Sequence, residues 1–68
     1  MILVFKEYDI VKANHDLSSK VLRGTLGTIV LIYRECELDL AYEVEFVDDN
    51  NDTIEILTVY PENIILKS

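Results

Sequence analysis

The stretch spanning residues 41–59 constrains the fold most, because two β-rich runs flank a short polar break. In the first run, residues 41–47, apolar side chains alternate with glutamates (Ala-Tyr-Glu-Val-Glu-Phe-Val). This period of two is typical of a β-strand with one face toward a core and the other toward water. The break at residues 48–52 contains only Asp and Asn, which favour turns. Since Thr53–Val59 is again β-rich, the sequence predicts an antiparallel hairpin.

The rest of the chain predicts three further strands. Residues 29–33 are continuously apolar, which indicates either two covered faces or a bend that exchanges them. We expect residues 34–39 to form a charged link rather than strand. The predicted strands are residues 8–13, 24–34 and 64–67.

Turn signals mark the connections between these strands. Residues 14–24 form a polar loop that is long for a compact domain and contains no stretch long enough for a real helix. Gly24 and Gly27 indicate a tight turn or a bulge with an unusual backbone conformation. Pro61 cannot donate to a sheet ladder, so residues 60–63 predict a single 3₁₀ turn before the last strand.

These elements predict a single all-β domain over residues 1–68. The expected architecture is a small five-stranded SH3-like barrel with a long first loop and a 3₁₀ turn before the last strand. Closure into a barrel suits a short chain because it removes exposed sheet edges. A five-stranded OB barrel is the competing architecture, but it usually has longer strands and a helix for which no stretch here has room.

Net charge separates the classes of partner. Thirteen acidic residues against six basic ones give a net charge of −7 and a sequence pI near 4.4. This field repels nucleic acids and anionic membrane surfaces, because binding to them depends on Lys and Arg. A basic protein is the favoured partner, since opposite charges speed encounter. The alternative is that the charge only keeps a small protein soluble.

The start of the chain and its lone cysteine bear on compartment and assembly. Cys36 has no second cysteine to pair with, so no oxidising compartment is implied. Residues 1–5 are apolar, but they are too short for a membrane span and lack the features of a signal peptide, so we expect a cytoplasmic protein. The same residues can fray, add an edge strand or form a homodimer contact, and Phe5 at least is expected to be packed.

Three segments carry a resemblance to a known family. They are Phe-Lys-Glu-Tyr-Asp-Ile-Val at residues 5–11, Gly-Thr-Leu-Gly-Thr-Ile-Val at residues 24–30 and Ala-Tyr-Glu-Val-Glu-Phe-Val at residues 41–47. In order and spacing they resemble a bacterial family of small proteins, the domain of unknown function DUF4926. The resemblance implies an SH3-like barrel and a bacterial source, and it carries over no catalytic residues because the family has none assigned. Residues 24–30 are also similar to the glycine-containing core of the KOW modules in ribosomal and transcription factors.

No pattern in the sequence indicates catalysis or a cofactor. Cys36 lies between Glu35 and Glu37, whose negative charge suppresses the thiolate, so we expect a passive thiol. His15 has no apparent partner in the sequence and is interpreted as a solvated loop residue rather than a base. One His and one Cys cannot build a zinc site. We therefore expect a non-enzymatic protein without a cofactor.

The polar break imitates a calcium loop only at its start. Asp48, Asn50 and Asp52 have the spacing of the first oxygen ligands of an EF-hand. Thr53 stands where that loop requires glycine, and Val59 stands where it requires a bidentate glutamate. An ordinary hairpin turn is favoured, and no metal site is expected.

Acidic side chains form the candidate partner-binding face. Glu43 and Glu45 alternate with core residues, and Glu55 on the neighbouring strand is expected to join them on the side facing water. Like charges across a sheet cost stability, which a cationic partner would offset. The alternative is a solvated face whose carboxylates pair locally with lysine or arginine. The predicted binding residues are Glu43, Glu45 and Glu55 on the face and Asp48, Asp49 and Asp52 at its tip, and the local cations are Lys12, Lys20 and Arg34.

Aromatic residues indicate a second candidate site. In SH3-like barrels, aromatics near the long loop and the 3₁₀ turn line a peptide groove, and Tyr8 and Tyr60 occupy such positions. Tyr42 instead alternates with core residues, and a partly buried tyrosine is the commoner situation.

Charge and fold together favour a non-enzymatic protein-binding module whose acidic sheet face docks a basic partner protein. A specific form is an antitoxin or immunity-type inhibitor that masks a basic toxin. One alternative is an accessory subunit of a larger, photosynthetic-type complex, similar to the SH3-like subunits that bind near ferredoxin, although ferredoxin is itself acidic. The other is a KOW-like nucleic-acid binder, which needs a basic patch that the scattered cations do not provide.

Overall fold

The protein consists of five β-strands and a single 3₁₀ turn. A computed structural model describes residues 5–36 and 38–67, apart from the side chains at positions 38 and 39. The strands are β1 Ile10–Ala13, β2 Leu26–Glu35, β3 Leu38–Val47, β4 Thr53–Val59 and β5 Ile64–Leu66, and Pro61–Asn63 forms the 3₁₀ turn. The all-β class, the long first loop and the turn before the last strand are confirmed.

All five strands belong to one antiparallel sheet with the order β4-β3-β2-β1-β5. Consecutive strands from β1 to β4 pair as neighbours, and β5 returns to pair with β1. One side of β4 and one side of β5 therefore remain unpaired in the described part of the chain. In the described residues the hydrogen-bonded ladder is a four-stranded meander with β5 added beside β1, and it has two open edges rather than forming a closed ring.

Strand β3 has one face toward the core and the other toward the solvent. Tyr42, Val44 and Phe46 are fully buried on one of its faces. Glu43 and Glu45, which lie between them, are half-buried on the other face. The alternation predicted for residues 41–47 is confirmed, because burial of three large apolar side chains fixes the register of the strand.

Gly24 and Gly27 have different structural roles. Gly24 adopts φ +92° at the end of the long loop, as predicted for a tight turn, whereas Gly27 has no positive φ and lies in β2 opposite Phe46. A Cβ placed on Gly27 would lie 2.6 Å from Val44 Cγ1 and 2.9 Å from Phe46 Cδ1. Gly27 is therefore required for the close packing of β2 on the core side chains of β3. The predicted turn or bulge is wrong at this residue.

A bend in β2 explains its continuous apolar run. The register with β3 shifts between Ile29 and Leu31, so Val30 is an extra residue in the ladder. Ile29 is fully buried, while Leu31 and Tyr33 face outward. Of the two interpretations of residues 29–33, the bend is confirmed.

The turn between β2 and β3 is tighter than predicted. The ladder of the two strands extends to the pair Glu35–Leu38, and Cys36 adopts φ +60° in the turn. Residues 34–39 are therefore mostly strand, and the prediction of a charged link is wrong. Backbone pairing along the hairpin outweighs the low β-propensity of the charged residues.

The chain enters the sheet through a turn rather than a strand. Lys6 N donates a hydrogen bond to Asp9 Oδ2 at 2.9 Å, and Asp9 N donates to the Lys6 carbonyl at 3.1 Å. Tyr8 adopts φ +69° inside this turn. As a result β1 begins at Ile10, and the prediction that the strand starts at residue 8 is wrong.

Phe5 closes one side of the core. It is 2% exposed, and its ring meets the Tyr42 ring edge-on with 5.4 Å between the centroids. The expectation that Phe5 is packed is confirmed. Residues 1–4 lie outside the described residues, and with them most of the homodimer contact predicted for residues 1–5.

The long loop is held against the sheet by a buried side chain and by backbone hydrogen bonds. Val21 is fully buried in the core, and its N–H donates to Ser18 Oγ at 2.9 Å. At the start of the loop, Asn14 N donates to the Asn63 carbonyl in the 3₁₀ turn at 2.8 Å.

Nowhere in the described chain is there a helix with the length and hydrophobicity of a membrane span.

Candidate partner-binding face

One side of the sheet carries the acidic residues predicted for β3. Directly paired residues in neighbouring strands point to the same side, so the register defines the members of this surface. We term it the outer face; it comprises Thr28, Leu31 and Tyr33 of β2, Glu43 and Glu45 of β3, and Ile56 and Thr58 of β4. Two carboxylates thus lie in the middle strand of a three-stranded surface.

Both carboxylates of the outer face are turned toward β4. Glu43 Oε1 accepts a hydrogen bond from the Thr58 hydroxyl, and Glu45 Oε2 accepts one from the Thr53 hydroxyl. Both donors are neutral and belong to an edge strand of the sheet. These two hydrogen bonds come from neutral groups, and the alternative of local pairing with lysine or arginine stays a prediction.

Glu55 does not belong to the outer face, contrary to the prediction. In the register it lies opposite Phe46 on the core side, where it is half-buried. Its Oε1 accepts a hydrogen bond from the Ser18 hydroxyl of the long loop at 2.7 Å. The cause is a bulge, because the pairing of β3 with β4 shifts between Phe46 and Val47 and a slip of one residue moves side chains to the opposite face. Glu55 therefore anchors the loop.

Exposed apolar side chains complete the outer face, and the sequence did not predict them there. Ile56 is 55% exposed beside Glu45, and Leu31 is 45% exposed beside Glu43. A regular hairpin would turn Ile56 inward, and the bulge reverses it. The bend in β2 turns Leu31 outward in the same way, and the apolar run at residues 29–33 was its one sequence signal. Apolar groups beside charged ones are typical of surfaces that bind other proteins.

The tip of the β3–β4 hairpin is a self-contained turn. Asp48 Oδ1 accepts hydrogen bonds from Asn50 N at 2.9 Å and from Asp52 N at 3.0 Å, and Asn51 adopts φ +68°. Asp48 thus has a structural role in the turn. Asp49 and Asp52 are exposed, and their carboxylates add negative charge at the end of the outer face.

The two residues considered as catalytic candidates have separate surroundings. Cys36 is exposed in the β2–β3 turn. His15 lies beside the 3₁₀ turn, where Asn63 Oδ1 accepts from Tyr60 N at 2.8 Å, so the Asn63 amide nitrogen faces His15 Nε2 at 3.0 Å. His15 Nε2 must therefore act as the acceptor. In the described part of the chain, no three His, Cys, Asp or Glu side chains are grouped to hold a metal ion.

Tyr8 and Tyr60, the residues of the predicted peptide groove, are both exposed, by 72% and 54%. Two clefts lie elsewhere on the described surface. One lies between residues 23–26 and the hairpin tip, and the other lies between Phe5 and residues 61–66. Neither cleft is lined by either tyrosine, and the peptide groove stays a prediction.

Fold and surface together define a class of protein, a small antiparallel β-domain with an outer face of carboxylates and exposed apolar side chains. The chain belongs to the family described as the domain of unknown function DUF4926, whose family model matches residues 7–66. The resemblance carried by the three sequence segments is therefore confirmed. No curated protein and no solved structure matches the chain.

Proposed function

We propose that this protein is a non-enzymatic binding module that docks a basic partner protein on its outer face. The observation that carries the proposal is the placement of Glu43 and Glu45 in β3, the middle strand of the outer face, with neutral hydroxyls as their hydrogen-bond donors. Exposed Leu31 and Ile56 lie beside them. Lysine or arginine side chains of a partner would offset the two charges, and the apolar contacts would exclude water around them.

The charge of the whole chain supports the same class of partner. A net charge of −7 attracts a cationic surface over a distance of about one Debye length, roughly 8–10 Å at ordinary salt. Asp49 and Asp52 extend this field past the end of the sheet. Association steered in this way is fast at low ionic strength and slows as salt is added.

We further propose that the sheet folds as an SH3-like barrel. Three features support this architecture: the return of β5 to β1 beside the four-stranded meander, the bend of β2 at Val30, and the 3₁₀ turn before β5. A bulged central strand can contribute to both halves of a small barrel, since bulges bend a strand and increase its twist.

A specific form of the proposal is an antitoxin or immunity-type inhibitor in the bacterial cytoplasm. A small acidic protein can associate rapidly with a basic toxin and mask its surface. A neighbouring reading frame that encodes a basic protein, toxic when expressed alone, is the expected genomic observation for this form.

Affinity capture with paired variants tests the docking proposal. The baits are the wild-type protein, the double variant Glu43→Gln/Glu45→Gln and the control Glu7→Gln/Glu62→Gln. Each double variant loses two negative charges, but Glu7 and Glu62 are exposed residues outside the outer face. In lysate of the native host we expect wild type and control to capture the same basic protein and the Glu43→Gln/Glu45→Gln bait to lose it.

The kinetics of the captured complex give a second readout. We expect the association rate to fall steeply as ionic strength rises from about 0.05 to about 0.5 M. A partner that binds both double variants equally, or whose association ignores salt, would contradict the proposal. Co-purification with a large membrane complex would favour an accessory subunit instead, and a nucleic-acid band shift at low salt would favour a KOW-like binder.

A further inference from the structure

We propose that the partner docks by strand addition, pairing an extended segment of alternating basic and apolar residues with the free edge of β4. This inference rests on the proposed function and deepens it by naming the chemistry and conformation of the segment that binds. Three features carry it: an unpaired backbone edge, the direction of two carboxylates, and an exposed isoleucine between them.

β4 presents an unpaired backbone edge. It pairs with β3 on one side, and in the described part of the chain no backbone hydrogen bond joins its other side to another segment. Such an edge offers alternating N–H and C=O groups to an incoming strand. At the other end of the sheet β5 has three residues, whereas β4 has seven, so β4 is the longer template.

Two features restrict where a strand can pair with this edge. The bulge between Phe46 and Val47 disturbs the ladder at the start of β4, and Glu55 points inward there, bonded to Ser18. Bulges and inward charges both discourage pairing at sheet edges. The ladder then continues without a shift from Glu55 to Val59, and this regular segment is the part open to a partner.

The carboxylates of the outer face lie over this same edge. Glu43 is hydrogen-bonded to Thr58 and Glu45 to Thr53, both on β4. An added strand would lie about 4.8 Å beyond β4. A long lysine or arginine side chain opposite Thr58 would cross the short threonine and reach Glu43.

The exposed side chain between these positions selects an apolar neighbour. Ile56 is 55% exposed, and it lies on the same face as Thr58, two residues away. A residue opposite Ile56 is therefore best apolar, and a second basic residue two positions further on would approach Glu45. The segment that fits has a basic, an apolar and a basic residue at every second position.

A second copy of this chain is the poorer occupant of the edge. Pairing two β4 strands would place Glu43 and Glu45 of both copies on one continuous face, turned toward each other across the two β4 strands, and each copy carries a net charge of −7. Like charges placed together across strands are destabilising. Charge complementarity therefore favours a cationic segment from another protein.

The test uses the full chain and the capped peptide Lys-Thr-Val-Thr-Lys, whose charge pattern is the same in both strand directions. Amide hydrogen exchange followed by NMR reports which backbone N–H groups become protected. We expect the edge-facing amides of residues 55–59 to exchange about tenfold more slowly at a peptide concentration of about ten times Kd. The charge-reversed peptide Glu-Thr-Val-Thr-Glu should protect none of them.

The charge variants and an N-methylated peptide separate strand addition from binding on the outer face alone. Glu43→Gln/Glu45→Gln should raise Kd about fivefold to thirtyfold, and the Glu7→Gln/Glu62→Gln control should leave it unchanged. A form of the peptide that is methylated on all its backbone nitrogens keeps the same charge. In either strand direction the added strand needs its N–H groups to pair with the edge of β4, so this form should lose binding.

Each remaining outcome overturns the inference. Undiminished binding of the methylated peptide would do so, and if that binding still depended on Glu43 and Glu45, the docking proposal itself would stand. A peptide that protects no amide of β4 would also refute strand addition. Protection that rises with protein concentration in the absence of peptide would assign the edge to a second copy of the chain.

Discussion

Replacing Gly27 with alanine tests whether the close approach of β2 to β3 holds the core in place. The new Cβ would lie 2.6 Å from Val44 Cγ1, 2.9 Å from Phe46 Cδ1 and 3.0 Å from the Glu45 carbonyl oxygen. Val44 is β-branched and Phe46 is aromatic, and both are fully buried, so neither can move away freely. The strand backbone must shift instead.

The size of the effect follows from two opposing contributions. Overpacking of this kind costs about 1–3 kcal/mol. Alanine offsets about 0.4–1 kcal/mol of this cost, because it lowers the conformational entropy of the unfolded chain relative to glycine. We therefore expect Gly27→Ala to lower the free energy of unfolding by about 1–2 kcal/mol and Tm by about 4–16 °C. For a chain of this length the total stability is roughly 3–10 kcal/mol, so the loss is readily measured.

Urea and thermal denaturation followed by circular dichroism measure this loss. The matched control is Gly24→Ala, since no atom lies within 4 Å of a Cβ at Gly24 and only its φ of +92° opposes the substitution. Val44→Ala removes the nearest clashing methyl group, so it should reduce the destabilisation caused by Gly27→Ala but not that caused by Gly24→Ala. The double variant Gly27→Ala/Val44→Ala should be more stable, by at least about 0.5 kcal/mol in the free energy of unfolding, than the sum of the two single effects predicts. A loss below about 0.5 kcal/mol for Gly27→Ala, or strict additivity in the double variant, would refute the reasoning.

Three further predictions concern the loop, the hairpin tip and the entry turn. In denaturation, Ser18→Ala should lower the free energy of unfolding by about 1–2 kcal/mol, because it removes the donor to the half-buried carboxylate of Glu55. The control Ser19→Ala, at an exposed position, should have almost no effect, and equal losses would contradict the anchoring role. Asp48→Ala should lower the free energy of unfolding by about 1–2 kcal/mol, since one of its oxygens accepts hydrogen bonds from two backbone N–H groups. Asp49→Ala should lower it by less than about 0.5 kcal/mol, and the reverse order would show that the turn does not depend on the Asp48 side chain. Tyr8→Gly should raise the free energy of unfolding by about 0.5–1 kcal/mol, because glycine relieves the backbone strain at φ +69° and a side chain that is 72% exposed contributes little packing. A lower Tm would show that the turn is not strained.

Regular periodicity made the central hairpin predictable from the sequence. Tyr42, Val44 and Phe46 alternate with glutamates over enough residues that only one register buries all three. The 3₁₀ turn was predictable for a similar local reason, since Pro61 fixes its own φ and removes a donor. In both places the local chemistry and the tertiary packing favour the same conformation.

Irregular positions in the ladder limited the prediction of the candidate site. The bulge after Phe46 moved Glu55 to the core side and Ile56 to the outer face, and the bend at Val30 moved Leu31 outward. A bulge is fixed by how two strands pair in space, and no residue type at these positions marks it. The acidic half of the outer face was therefore predicted, and its apolar half was not.

The pairing of β1 with β5 has a consequence for how the protein folds. Val11 pairs with Leu66 and Asn14 bonds to Asn63, so the first strand depends on residues far away along the sequence. The meander from β2 to β4 joins neighbouring segments and can form before β5 docks. Contacts between distant parts of a chain form slowly, because the loop must close before any contact stabilises it. Until β5 docks, β1 therefore exposes one bare side, and the long loop reaches its final shape only when the 3₁₀ turn and β5 are in place.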